Sequence, residues 1–176
     1  MRLFLVRHGR PVIEPGLLPS AWELDPAHFD AIWALRESGR LPTGATWFCS
    51  PESKAVSTAQ LLTDQEVGIV EGLREQVRDT GDWIDDVETV VRRAFADPAR
   101  SAYPGWEPLE RTRERVLTAV RALVEAHPDA DLVLVGHGTA WTALAAALTG
   151  AAPDLDRWAS LGMPDLIELD LPVASS

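Results

Sequence analysis

Two of the four histidines, His8 and His137, stand in the same local setting, an apolar run followed by histidine and glycine. Val6 leads into Arg7, His8 and Gly9, and Val135 leads into Gly136, His137 and Gly138. Neutral imidazole is a competent nucleophile at physiological pH, and an adjacent glycine lets backbone approach a ligand closely. One such histidine reads as a satisfied loop residue; two in equivalent settings point to chemistry. His28 and His127 lie in polar helical or helix-end surroundings and read as structural. A second feature is Ser50-Pro51 at the opening of a helical pattern. The first-turn N–H groups and the positive end of the helix dipole form an anion site there. Lys54, the only lysine among 16 basic residues, falls in or just beyond that turn.

These residues need elements to position them. Leu3 to Val6 is a continuous apolar run, the pattern of a strand covered on both faces. Thr46 to Phe48 and Leu132 to Val135 read the same way, with Val67 to Val70 a weaker candidate. Asp25-Pro26 forms an N-cap and first-turn pair ahead of Phe29, Ile32, Trp33 and Leu35, and Ser50-Pro51 does so ahead of Ala55, Val56, Ala59 and Leu62. Val87, Val90, Val91, Ala94 and Phe95 recur at helical spacing, with a stop expected at Asp97-Pro98. A longer amphipathic helix runs from Leu109 to near His127. Strands alternating with helices predict a three-layer α/β/α sandwich with a mainly parallel sheet, a single domain over residues 1–176. Such sheets bind ligands at the carboxyl ends of their strands, where both His-Gly pairs fall.

Composition narrows the partners. Sixteen basic against 27 acidic residues leave a formal charge of −11. A surface that negative repels phosphate backbones and acidic membranes, so neither nucleic acid nor a membrane is expected as a partner. The N-terminal apolar run is too short for a signal-peptide core, which predicts a cytoplasmic protein. The weakly polar run Ala140 to Ala152 is too short for a membrane span. Apart from that run and the Ala-Ser-Ser tail, no low-complexity tract is present. The one cysteine, Cys49, excludes an internal disulfide and a multi-thiolate metal site. Oligomeric state is not legible.

Leu3-Phe4-Leu5-Val6-Arg7-His8-Gly9 resembles the opening signature of the histidine phosphatase superfamily, phosphoglycerate mutase-like branch. Ser50 to Ala59 is similar to the family's second block, Leu73-Arg74-Glu75 to the block carrying its acidic catalytic residue, and Gly105-Trp106-Glu107 with Arg115-Val116 to its Gly-Glu-Ser helix opening. Val133 to Gly138 resembles the strand bearing its second histidine. The resemblance implies a metal-independent phosphomonoesterase, without cofactor, acting on a small phosphorylated substrate. It implies that His8 accepts the phosphoryl group and that Glu75 is the general acid and base. Arg7, Lys54, His137 and the Gly138 N–H would hold the phosphate. Departures from the pattern are Lys54 in place of arginine, which keeps the charge and loses the bidentate fork. Arg10-Pro11-Val12-Ile13-Glu14 stands where the family carries an asparagine contact, and Ser57 replaces a common glutamine.

Other chemistries fit less well. The cysteine-dependent phosphatases need arginine six residues after the cysteine, and counting from Cys49 reaches Ala55. Trp141 stands where a dinucleotide loop needs its third glycine, and a Gly-x-Ser-x-Gly elbow is missing. Zinc on His8, His137 and Glu75 is opposed by the neighbouring arginine. The main rival is a catalytically weak relative that binds a phosphorylated ligand or protein in a regulatory role. A phosphoglycerate-type mutase ranks behind it, because mutases of this branch carry more lid sequence.

Overall fold

The computed structural model describes residues 1–171. The Ala-Ser-Ser tail lies outside the described residues. The chain runs β1 (Arg2–Arg7), α1 (Phe29–Glu37), β2 (Thr46–Cys49), α2 (Ser53–Leu62), β3 (Val67–Ile69), α3 (Val87–Ala96), α4 (Leu109–Ala126), β4 (Leu132–Gly136), α5 (Gly138–Thr149), α6 (Leu155–Ser160) and β5 (Asp165–Asp170). The five strands lie in the order β3-β2-β4-β1-β5. The first four are mutually parallel and β5 pairs antiparallel with β1 at the edge.

Period-two alternation in the apolar runs explains the layering. Phe4 and Val6 of β1, with Val133 and Val135 of β4, pack on one face against Ile32 and Leu35 of α1 and Ala55 and Ala59 of α2. Leu3, Leu5, Leu132 and Leu134 point to the other face, against Val116 and Val120 of α4 and Trp141 and Leu144 of α5. Both faces are covered, so the central strands carry no polar alternation. A smaller cluster of Val90, Val91 and Trp106, with Tyr103 and Trp158 packed on it, sits apart from the sheet. Among the described residues no helix is long and apolar enough to cross a membrane.

Three local expectations change. Asp25 does cap, accepting from the Ala27 N–H, but the turn it opens is 3-10 over Pro26–His28 before α1 begins. The second helix does not open at Ser50-Pro51: its N-cap is Glu52 and its first residue Ser53, after a bend at Pro51 and Glu52. The helix α5, the edge strand β5 and the short helix α6 carried no assignment from sequence.

Candidate active site

Parallel pairing of β1 with β4 aligns Arg7 with Gly136, so the residues that follow emerge together at the carboxyl edge of the sheet. The His8 N–H donates to the Gly136 carbonyl at 2.9 Å. The two imidazoles meet with ring centroids 5.3 Å apart, edge toward face at 64°. His8 Nδ1 lies 2.6 Å from the Gly9 carbonyl. A carbonyl only accepts, so Nδ1 carries the proton and Nε2 keeps its lone pair in the neutral ring. The Gly9 N–H donates to Thr58 Oγ1 at 2.9 Å, and the Trp141 indole N–H donates to the Val6 carbonyl at 2.8 Å. These bonds fix the β1 exit from the α2 and α5 sides. A Cβ at Gly136 would stand 2.5 Å from Trp141 Cζ2, which accounts for glycine there.

Both rings are buried and held neutral. Burial first, then His137, Lys54 and Arg7, keep the His8 imidazole well below the ordinary histidine range, against the opposing Gly9 carbonyl. Burial pushes His137 down to about 3; Glu75 opposes this, and Lys54, Arg78 and Arg7 add to it. His137 Nε2 lies 2.8 Å from Ser50 Oγ and 3.5 Å from Glu52 Oε1.

The cations differ from the sequence expectation. Arg7 lines the cavity beside the histidines; its Nη1 donates to the Leu161 carbonyl at 2.7 Å, while its buried Nε has no protein partner. Lys54, expected to supply a second positive charge, lines the cavity as one member of a buried ion pair. Its Nζ donates to Glu52 Oε2 at 2.6 Å and to the Pro19 carbonyl at 2.7 Å. The N-cap position of α2, read as an anion site, thus places a carboxylate of the chain beside the site. Arg78, not singled out from sequence, also lines the cavity. Its guanidinium stacks over the Trp106 ring at 4.1 Å, one Nη donates to Thr139 Oγ1 at 3.2 Å, and its buried Nε has no protein partner. Buried donors are ordinarily paired, so these two Nε atoms suit an anionic ligand.

Glu75 lies in the same cavity. Its Oε1 accepts from the Gln76 and Ala140 N–H groups at 2.9 Å each, and its Oε2 from the Thr139 N–H at 3.1 Å. The α5 amides thus hold the carboxyl, and a Cβ at Gly138 would stand 3.3 Å from Arg7 Nε, so glycine there leaves the guanidinium room at the start of α5. The segment carrying Glu75 is clamped from α4. Arg115 donates to the carbonyls of Gly72, Arg74 and Glu75 and to Glu107 Oε1 at 2.7 Å. Glu107 Oε1 also accepts from the Val77 N–H.

All six expected site residues, Arg7, His8, Lys54, Glu75, His137 and Gly138, line one cavity of about 570 Å³. Sequence reasoning missed Glu52 and Arg78, and read Ser50 as part of a helix opening rather than as a partner of His137. Glu52 and Lys54 stand two apart across a helix start, a spacing that carries no pairing signal, and Arg78 was one of several arginines in a segment without periodicity. Cys49 is buried in the first core and its thiol is pushed up to about 11 by burial, so it stays a thiol. Among the described residues no group of three or more His, Cys, Asp or Glu side chains is arranged to hold a metal ion.

Known proteins give this geometry a context. Residues 21–171 match the model of the histidine phosphatase superfamily (branch 1), a span that begins downstream of Arg7-His8-Gly9. An uncharacterized phosphatase PhoE of Bacillus subtilis (strain 168) is 27% identical over 124 residues, which are 68% of this chain and 63% of that protein. The chain therefore spans less than two thirds of that relative's length. A solved mycobacterial glucosyl-3-phosphoglycerate phosphatase in complex with VO3 superposes with a TM-score of 0.73 at 26% identity, covering 96% of this chain and 92% of that one. A phosphoglycerate mutase from Bacillus anthracis str. Sterne shares the fold with a TM-score of 0.77 at 16% identity, covering 96% and 86%.

Proposed function

Because the chain belongs to the histidine phosphatase superfamily (branch 1), we propose that residues 1–176 act as one domain and as a metal-independent phosphomonoesterase working through a phosphohistidine on His8. The convergence of two neutral imidazoles at 5.3 Å carries the reading. In the first step the His8 Nε2 lone pair forms a bond to phosphorus and the ester P–O bond breaks. The departing alkoxide takes a proton from the Glu75 carboxyl. Oε2 accepts one N–H bond where Oε1 accepts two, which leaves it the freer oxygen for proton transfer. In the second step Glu75 takes a proton from water, the water oxygen bonds to phosphorus, and the P–N bond breaks, releasing inorganic phosphate and neutral His8.

Arg7, His137 and the Gly138 amide bind the phosphoryl oxygens, as the resemblance implies. Arg78 adds a guanidinium, and Lys54 contributes a charge partly offset by Glu52. Fixed positive groups around the transferred oxygens stabilise the charge of the transition state without reorganisation.

The buried Glu52 beside His137 favours a second reading, a weak relative that binds a phosphorylated ligand or protein in a regulatory role. A carboxyl positioned by three amides at the site argues for turnover. The purified protein with a chromogenic aryl phosphate and a chelator is expected to release phosphate, and His8→Ala to release none. Equal rates for the wild type and His8→Ala across a panel of phosphoesters would falsify the enzyme reading.

A further inference from the structure

The cavity has two chemically different halves. Its base holds the histidines and the cations. Its mouth is ringed by apolar side chains that are exposed to solvent. Seven of the ten large apolar side chains exposed among the described residues line this one cavity. Ile13, Leu17 and Leu18 come from the loop after β1, Trp83 and Val87 from the approach to α3, and Met163 from the turn before β5. Trp83 is the most open of these, at 57%. Three separate segments thus gather apolar surface at one opening, whereas scattered single apolar residues would need no explanation.

Charge at the mouth does not favour a second anionic group. Asp79, Asp82 and Glu88 line the wall and outnumber the two arginines outside the base, Arg10 and Arg74, the second of which is bonded to Glu71. The formal charge of −11 acts in the same direction. We propose that the substrate is a phosphomonoester of a bulky apolar alcohol bearing no second phosphate or carboxylate, its phosphoryl group on Arg7, Arg78 and His8 and its carbon skeleton against the apolar ring. This rests on the phosphomonoesterase reading.

Hexyl phosphate, ethyl phosphate and 3-phosphoglycerate are all primary-alkyl monoesters, so comparing them holds the leaving-group chemistry nearly fixed. The expected kcat/KM for hexyl phosphate exceeds that for ethyl phosphate by about tenfold or more, with 3-phosphoglycerate no better than ethyl phosphate. Replacing Trp83→Ala and Leu17→Ala together lowers the hexyl-to-ethyl ratio. Trp33→Ala, an exposed tryptophan on α1 outside the cavity, leaves that ratio unchanged. A ratio near one, or preference for 3-phosphoglycerate, overturns the proposal. So does a dimer at assay concentration that dissociates in the Trp83 and Leu17 variant while substrate preference is unmoved.

Calorimetry on His8→Ala separates the two layers of inference. If the wild type turns over neither alkyl ester but His8→Ala binds hexyl phosphate more tightly than ethyl phosphate, the phosphomonoesterase reading falls and the apolar subsite stands. If it binds both alike, the subsite falls.

Discussion

Lysine at position 54 is a change of partner as well as of shape. A guanidinium there could reach a phosphate with a fork, whereas the ammonium is paired inside the protein with Glu52, both side chains nearly inaccessible at 6% and 4%. Removing one member of a buried pair strands the other charge, which typically costs about 3–5 kcal/mol. Lys54→Met is therefore expected to lower the urea-unfolding free energy by about that amount. The double variant Lys54→Met with Glu52→Leu is expected to recover much of it. A double variant as unstable as the single one would mean that the lysine acts through its packing and its bond to the Pro19 carbonyl. His8 and His137 were legible in the sequence because residue type and neighbours repeat at both strand ends. Glu52 and Arg78 were not, because a pairing across a helix start and a stack on Trp106 are tertiary facts with no local period.

Elements decide how well the site residues are held. Glu75 sits on neither strand nor helix, between a 3-10 turn ending at Leu73 and the extended segment toward Arg78, so its position depends on borrowed bonds. The α5 amides hold its oxygens, and Arg115 on α4 holds its backbone. Arg115 acts as a positioning residue. Arg115→Met is expected to lower kcat by about tenfold, the scale of a small misplacement of a catalytic group, with KM little changed because the phosphate ligands stay in place. A rise in KM at unchanged kcat would place Arg115 in substrate binding instead. β1, β2 and β4 were readable because their apolar runs are covered on both faces, whereas β3, at the sheet edge with Ile69 open to solvent, gave a weaker signal. β5 escaped because Asp165-Leu166-Ile167-Glu168-Leu169-Asp170 mixes acids with apolar residues at the sheet edge. Leu166 faces the α1 and α2 side while Ile167 and Leu169 face the other, and an edge strand with exposed acids looks like loop until its partner is known. The six-residue α6 is too short to show a helical period.

At the scale of the molecule, a chain of net charge −11 gathers Arg7, Lys54 and Arg78 at one end of its sheet while Glu52 and Glu75 temper that charge. The sheet order brings together residues 129 positions apart in sequence, and this long-range pairing makes the site. It could be inferred from the matched strand ends, although the apolar mouth could not, since its residues come from three segments with no shared pattern. The central claim is that His8 carries the phosphoryl group. The wild type and Glu75→Gln, mixed rapidly with an aryl phosphate and quenched in alkaline denaturant, can be digested and read by mass spectrometry. Transfer through His8 predicts an acid-labile, base-stable phosphoryl adduct on the His8 peptide, accumulating in Glu75→Gln and absent from His8→Ala. Since burial and its neighbours hold His8 well below the ordinary histidine value of 6.5, its lone pair is free on the acid side of that value, and the adduct forms there too. Phosphate release without any adduct on His8, or an adduct that persists in His8→Ala, contradicts the claim.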